Sequence, residues 1–515
     1  MERSISPILN IAQSYHADEQ ATVQGVSGLD LMEKAGQAVT EAIVSRWQKR
    51  PVMVLVGPGN NGGDGFVIAR LLTKAGWSVS IYMLGAKSAL KGDAAINAKR
   101  WRGKIFDLEA AFENISKPEQ NDDTLIIDAL FGAGLSKPLK GFIKDLAQKL
   151  KQRRKQSKNF VVVAVDMPSG VHGDTGQILG DGSFAADLTV TFGNAKPGHY
   201  LMPGRGLCGE LVMADIGIPD QVVSDLKPKT FLNSPGIWID QFPQPHALGH
   251  KYNRGHVVVL GGDEMSGAAR LVALAARRMG AGLVTVSVSK KMFPVYASTL
   301  EPGTLLKTTQ GLKGFCKIIK DPRKTTCVLG PGAGLYKKTA EKVLSALKAN
   351  KNCVLDADAL SVFQNDPETL FKALYDNTGQ GGLTPHAGEF LKLFPDLAQK
   401  QKQYGKLAIT IQAAKRAGCV VVYKGVDTVI AAPDGHAVLN ANAPPTLATA
   451  GTGDVLAGFM GGLVAQGMPV FKAAQASVWL HAECANLFGL GLVAEDLIDM
   501  LPEVLNELFA PDNGK

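Results

Sequence analysis

Runs in which every position is apolar recur along this chain, and most lead into a glycine-rich turn. Val52-Met-Val-Leu-Val56 enters Gly57-Pro-Gly-Asn-Asn-Gly-Gly-Asp-Gly65, after which helical spacing runs from Phe66 to Ala75. Ser78 to Leu84, Leu125 to Leu130, Phe160 to Val165 and Leu188 to Phe192 are further strand-length segments. Strands apolar on both faces and separated by helix-length segments predict a parallel sheet covered on both sides. Ligands in such sheets sit at the strand C-terminal ends. Gly57 to Gly65, Phe131-Gly-Ala-Gly134 and Asp166-Met-Pro-Ser-Gly170 all occupy that position. The style then restarts. His256 to Leu260 leads into Gly261 to Gly267 and a helix from Ala268 to Met279. Strands at Leu283 to Ser287, Thr326 to Gly330, Asn352 to Leu355, Cys419 to Tyr423 and Val429 to Ala432 follow, and Gly451-Thr-Gly-Asp454 opens a long apolar helix. Between the two patterns, Pro228, Pro235, Pro243 and Pro245 interrupt a segment with little periodicity. The expected organisation is therefore one α/β domain over residues 1–225, a linker and domain entry over 226–250, and a second α/β domain over 251–515.

The composition supports a globular reading of all 515 residues, with 45% hydrophobic and 20% charged positions. The net charge of +8 suits an anionic small-molecule ligand. Nucleic-acid binding calls for a basic stripe with interleaved aromatics. The one basic run, Lys149 to Lys158, precedes an apolar strand and reads as a solvated helix end, so no nucleic-acid partner is expected. The six cysteines form no C-x-x-C and are expected to be reduced and buried. The first residues lack the apolar core of a signal peptide. The uncharged stretch Val455 to Phe471 contains four glycines, a glutamine and a proline and reads as a buried helix and turn. No membrane association and a cytoplasmic location are expected.

The chemistry concentrates in the turns. The Gly57–Gly65 loop would offer free backbone N–H groups and a helix start to a phosphate, through glycines that allow positive φ and close approach. It is not a Walker A loop, since no G-K-[ST] follows, and its Asn60, Asn61 and Asp64 oxygens also suit a cation. Asp128 and Asp166 each end a buried strand, where a carboxylate serves either as a general acid or base or as a helix cap. At Gly451–Asp454, two glycines and a helix start form an anion hole, and Asp454 is placed to deprotonate an attacking hydroxyl during phosphoryl transfer. Lys424-Gly-Val-Asp-Thr428 turns between two strands and is either a nucleotide contact or a plain turn. Thr384-Pro-His-Ala-Gly-Glu389 presents His386 as a substrate contact or a structural histidine. His172, His199 and His481 show no ligand spacing and are read as structural.

Taken in order, these motifs resemble a known pairing. Gly57 to Arg70, Asp128 to Gly134, Val165 to Gly170 and Lys196-Pro-Gly198 resemble the NAD(P)H-hydrate epimerase domain, which has a Rossmann-like three-layer fold. Gly261 to Leu271, Gly280 to Val284, Gly330 to Gly334, Asp356 to Leu360, Thr384 to Glu389, Lys424 to Thr428 and Gly451 to Asp454 resemble the ADP-dependent NAD(P)H-hydrate dehydratase domain, which is ribokinase-like. The resemblance implies a bifunctional repair enzyme. One half would interconvert the R and S hydrates of NADH and NADPH, and the other would restore the dinucleotide from the S hydrate at the expense of ADP, giving AMP and phosphate.

It further implies that the hydrate lies on Asn60, Asn61, Gly62, Gly63 and Asp64 and on Gly132, Ala133, Gly134, Leu135, Ser136, Lys137 and Pro138, with Asp166 shuttling protons. A potassium ion would be held by Asn61, Asp128 and Ser169. In the second half Ala268, Gly332, His386 and Asp454 would touch substrate, with Asp454 catalytic. Lys424, Gly425, Val426, Asp427, Thr428 and Gly453 would hold the adenine nucleotide, and magnesium would accompany ADP. Asp427 departs from the small residues common at its position and would repel phosphates unless it points away. A homo-oligomer is expected. The alternatives are a ribokinase-like kinase acting on a small hydroxyl compound, which leaves the first half without a purpose, and a nucleotide-binding scaffold, which has no need of both Asp166 and Asp454.

Overall fold

The computed structural model describes residues 5–116, 123–157 and 159–510. Lys158, the last residue of the basic run, lies outside them. The chain divides into two compact units. One spans Pro7–Pro228, and the other joins the segment up to Ser6 to everything from Lys229 onward.

The first unit is built on β1 (Val52–Val56), β2 (Val79–Met83), β3 (Ile105–Asp107), β4 (Leu125–Ala129), β5 (Val161–Val165), β6 (Leu188–Phe192) and β7 (Glu210–Ala214). Their order is 3-2-1-4-5-6-7, with every pairing parallel. All five residues of β1 and of β4 are buried, because helices cover both faces. The strand order reverses between β1 and β4, and that switch point opens a crevice at the strand C-terminal ends.

The glycine loop after β1 differs from its expected form. The helix begins at Asn60 and continues to Lys74, so most of the predicted loop is its first two turns. No glycine from Gly57 to Gly65 has positive φ. Close approach is what requires them: a Cβ at Gly57 would sit 1.8 Å from the Leu130 carbonyl oxygen, and one at Gly62 2.0 Å from that of Gly57. The basic run ends the helix Gly141–Gln156, but it is not wholly solvated. Arg153 is buried, with its guanidinium 5.8 Å from the Phe160 ring centre.

The second unit carries β8 (Thr230–Leu232), β9 (His256–Leu260), β10 (Leu283–Ser289), β11 (Leu305–Thr309), β12 (Thr326–Leu329), β13 (Asn352–Leu355), β14 (Gly381–Leu383), β15 (Val420–Tyr423), β16 (Val429–Ala431) and β17 (Ala437–Leu439). They form one sheet in the order 11-10-9-12-13-14-15-16-17-8, parallel except for the two pairings that β16 makes. The expected linker 226–250 is therefore corrected in part. Thr230–Leu232 is an edge strand pairing with β17, and Trp238 is fully buried against Trp479. Its prolines break periodicity without preventing packing, since Pro235 starts a short 3-10 turn that carries Ile237 and Trp238 inward. The apolar helix runs from Thr452 to Ala465 with eleven consecutive buried residues, Val455 to Ala465. No helix among the described residues is long and apolar enough to cross a membrane. All six cysteines are free, and only Cys316 is not fully buried.

Candidate active sites

In the first unit, a cleft of about 760 Å³ opens at the ends of β1, β4 and β5. Asn60, Asn61, Asp64, Gly132 to Lys137 and Asp166 line it. Gly62 and Gly63 do not, being buried under the helix start, and Pro138 instead faces Gly180. The helix Ile11–Val23 adds Tyr15 and Asp18, which the motif reading missed, and Lys196 enters from the segment after β6.

Asp166 is the most constrained residue here. Its φ is +65°, in the left-handed region that non-glycine residues adopt at a cost. Its Oδ1 accepts hydrogen bonds from Lys196 Nζ at 2.8 Å and Thr191 Oγ1 at 2.9 Å, and its Oδ2 accepts the Ala133 N–H at 2.8 Å. Burial alone would raise its pKa, but the Lys196 ammonium and these donors hold the carboxyl well below the usual range. His199 braces the turn: Nε2 donates to the Asp166 carbonyl at 2.7 Å, and Nδ1 accepts the Lys196 N–H at 2.9 Å. Burial, reinforced by Lys196, pushes His199 down to about 4, so the ring is neutral. Across the cleft Asp18 is pushed up to about 6 by burial, with Lys196 opposing and Asp166 adding to the shift. Asp64, fully enclosed, is raised by burial and by Asp166 and Asp18.

Behind this wall Asp128 is completely buried. It accepts the Ser169 N–H at 2.8 Å and the Ser169 hydroxyl at 2.7 Å, and burial pushes it up to about 6 despite these bonds. Ser169 Oγ also accepts the Phe131 N–H at 3.0 Å. The Asn61 amide nitrogen is buried without a partner. Asp128, Ser169 and the Phe131 backbone thus form a cluster of oxygen-bearing groups with one negative charge, and Asn61 Oδ1 lies beside Gly132, the next residue of that loop. No group of three or more His, Cys, Asp or Glu suited to a metal occurs among the described residues.

The second site forms where β12 to β15 end, against the N-terminus of the helix Thr452–Ala465. Asp356, 2% exposed at the end of β13, accepts from Lys424 Nζ at 2.6 Å and from Thr384 Oγ1 at 2.8 Å. Burial would lower the Lys424 ammonium, but Asp356 and Glu389 push it up. Gly453 is the contact point: a Cβ there would lie 3.4 Å from Lys424 Nζ and 3.9 Å from Asp356 Oδ2. Asp454 follows in the helix's first turn, pushed up to about 6 by burial and Asp356, against the pull of Lys424. The helix start has no side-chain cap, and Gly451 takes φ +90° to make the turn into it. His481 Nε2 donates to the Thr452 carbonyl at 2.9 Å, holding that turn in place. Gly330 must be glycine, because a Cβ would fall 1.8 Å from the Asp356 carbonyl oxygen. Asp358 accepts the Gly334 N–H at 2.8 Å, which ties the loop after β12 to the end of β13. A Cβ on Gly332 would touch Ala268 at 3.4 Å, so these two expected contacts are neighbours.

His386 sits at the start of the helix Ala387–Leu393 and accepts the Gly388 and Glu389 N–H groups on Nδ1. Its other face is exposed. Glu389 is buried beside it and raised by burial, with Lys424 opposing. In the turn Lys424–Thr428, Gly425 and Val426 are exposed, while Asp427 and Thr428 are buried. Asp427 turns inward to Lys406 Nζ at 2.7 Å, so its charge does not oppose phosphates. Thr428 closes the turn on itself, accepting the Gly425 N–H and donating to the Gly425 carbonyl.

Comparison with known proteins finds one family model within each unit. Residues 257–505 match the family model described as NAD(P)H-hydrate dehydratase, and residues 28–198 match that of the YjeF-related protein N-terminus. The chain is 34% identical to the bifunctional NAD(P)H-hydrate repair enzyme Nnr of Moorella thermoacetica, over 94% of this chain and 93% of that protein. It is 32% identical to the enzyme of the same name from Coxiella burnetii, over 94% and 96%. Among solved structures, an ADP/ATP-dependent NAD(P)H-hydrate dehydratase from Bacillus subtilis, co-crystallised with ATP and magnesium, is 28% identical. The match covers 54% of this chain and 98% of that one, with a TM-score of 0.46.

Proposed function

This chain belongs to the family of bifunctional NAD(P)H-hydrate repair enzymes, and from that membership we propose which of its own residues run the two reactions. The first unit is the epimerase and the second, ribokinase-like unit is the dehydratase. A cleft of about 760 Å³ is large enough for a hydrated dinucleotide. The pyrophosphate would lie on the uncapped helix start at Asn60 and Asn61 and along the loop Gly132–Lys137, which lines the cleft. Asp166, an anion fixed from three directions, would stand at the nicotinamide end and balance positive charge developing on the ring.

The pocket beside it fits potassium. The Asp128 carboxylate, with no exposure, the Ser169 hydroxyl, the Phe131 carbonyl and the amide oxygen of Asn61 would supply hard oxygen donors and one negative charge. Asn61, Asp128 and Ser169 would hold the ion. When bound, it supplies the positive charge that Asp128 lacks and stiffens the wall carrying Phe131 and Gly132.

In the dehydratase, Asp454 would take the proton from the hydroxyl of the S hydrate. The freed oxygen attacks the terminal phosphate of ADP and AMP leaves; the ring nitrogen's lone pair then expels phosphate, and the adjacent ring carbon releases a proton to water as the double bond re-forms. Phosphorylation converts a poor leaving group into a good one. Asp356 holds Lys424 beside Gly453, and the uncapped helix start receives the charge that develops on the transferring phosphoryl group. The nucleotide would cross the exposed face at Gly425 and Val426. Magnesium fits as an ion carried mainly by the nucleotide phosphates and water, with Asp358 and Glu389 as the nearby carboxylates, and it supplies charge neutralisation.

The observation that carries this reading is Asp454 in the first turn of an uncapped helix, one residue from the Lys424–Asp356 pair. The test is recovery of reduced-nicotinamide absorbance from a mixed R and S hydrate of NADPH, with ADP and magnesium. Wild type should recover it fully and Asp454→Asn should recover none. A stable phosphorylated product in place of recovered absorbance would move the second half to the small-molecule kinases.

A further inference from the structure

The epimerase cleft holds several candidates for moving a proton, and its geometry separates them. Both oxygens of Asp166 are already filled: Oδ1 takes Lys196 and Thr191, and Oδ2 takes the Ala133 N–H. A carboxylate so engaged is a fixed charge, and taking up a proton would break one of these bonds. Lys196 stands differently. It lines the cleft and is nine-tenths buried. An ammonium has three N–H donors. Asp166 and Thr191 take two, at 2.8 and 3.0 Å, which leaves one for whatever enters. The backbone also aims it. The Lys196 N–H bonds His199, whose other nitrogen bonds the Asp166 carbonyl, so Lys196 and Asp166 are locked to each other through main chain and side chain.

We propose that Lys196 hands the proton to and from the substrate hydroxyl during epimerisation, with Asp166 as its permanent counterion. This rests on reading the first unit as the epimerase. The chemistry follows from the substrate. A dihydronicotinamide is an enamine, so its water adduct carries the hydroxyl on the carbon next to the ring nitrogen. Lys196 gives a proton to that hydroxyl as the carbon–oxygen bond breaks, and water leaves. The nitrogen lone pair forms the carbon–nitrogen double bond, so the ring becomes an iminium and Lys196 a neutral amine. Water then adds to the opposite face and its proton returns to Lys196. One water leaves, one enters, and no net proton is exchanged. The positive charge passes from Lys196 to the ring and back, and Asp166 faces a cation throughout. Asp18, Asp64 and Tyr15 share the cleft with this pair.

The test uses the full chain and follows the R to S ratio of NADPH hydrate chromatographically without ADP. Lys196→Arg keeps a cation for Asp166 but donates a proton poorly. It should lower kcat about 100-fold or more while KM stays within about threefold. Lys196→Ala should be equally slow, and added methylammonium or ethylammonium should restore the rate in proportion to concentration. Asp166→Asn should be slow and unresponsive to either amine. The proposal is overturned if Lys196→Arg keeps kcat within about threefold of wild type, or if the amines leave Lys196→Ala unchanged. Failure of wild type to equilibrate the hydrates would instead overturn the epimerase reading itself.

Discussion

Replacing Lys406 by methionine should destabilise the dehydratase half by an amount that shrinks as pH falls. Lys406 Nζ lies 2.7 Å from Asp427 Oδ1, and the two side chains are 7% and 10% exposed. At an effective dielectric near 20, that separation corresponds to about 6 kcal/mol of attraction. Methionine keeps the stem packed near Tyr423, whose ring centre lies 4.4 Å from the ammonium, but takes the ammonium away from the carboxylate. The buried acid has a cheaper way out, which is to take up a proton. From an ordinary carboxylic acid near 3.9, protonation at pH 7 costs about 4 kcal/mol, or 1.36 kcal/mol for each pH unit. The deficit should therefore be about 4 kcal/mol at pH 7 and about 1.5 at pH 5. The sign is firm: the folded variant binds a proton that the unfolded chain has released, so its stability falls as pH rises above about 4. Hydrogen exchange over residues 401–430 reads this half alone. Lys406→Met with Asp427→Leu should recover most of the loss, because a buried pair replaced whole is far cheaper than a pair halved. A deficit independent of pH, or below about 1 kcal/mol at pH 7, would refute the reasoning.

The dehydratase rate should fall as pH drops through about 6, where Asp454 gains a proton and ceases to act as a base. Lys424→Met should move that inflection upward, since the ammonium opposes the rise; kcat/KM profiles of both proteins check this. In the epimerase, potassium should raise the rate of wild type. Asp128→Asn should abolish that response, read by titrating potassium against a choline background.

The interior of each sheet was legible in the sequence because central parallel strands are apolar at every position. Val52–Val56 and Leu125–Ala129 needed no further information. The edges were not. Glu210–Ala214 forms β7 with only Ala214 buried, and Gly381–Leu383 forms β14 from two glycines and a leucine, so neither shows a strand pattern. Site residues at strand ends were legible for the same topological reason as the strands. What escaped was pairing across long separations. Asp427 turns inward to meet Lys406, twenty-one positions earlier. Lys196 was visible as part of a motif, but its hold on Asp166, thirty residues before it, exists only once β5 and β6 lie side by side. Tyr15 and Asp18 sit on a helix whose sequence carries no chemical motif and reach the cleft through packing alone.

Ser6 accepts a hydrogen bond from the Leu232 N–H at 3.0 Å, within the second unit, although more than two hundred residues separate them. The chain therefore meets the end of β8 at Ser6, before it enters the first unit, and again at Leu232, after it leaves. During synthesis the opening segment must wait until residue 232 has emerged before it can be seated. Excising residues 7–228 leaves two ends already side by side, so a few flexible residues would close the gap and return an uninterrupted dehydratase. A cut at 228 that simply discards what precedes it also removes Ser6 and leaves the Leu232 N–H without that partner.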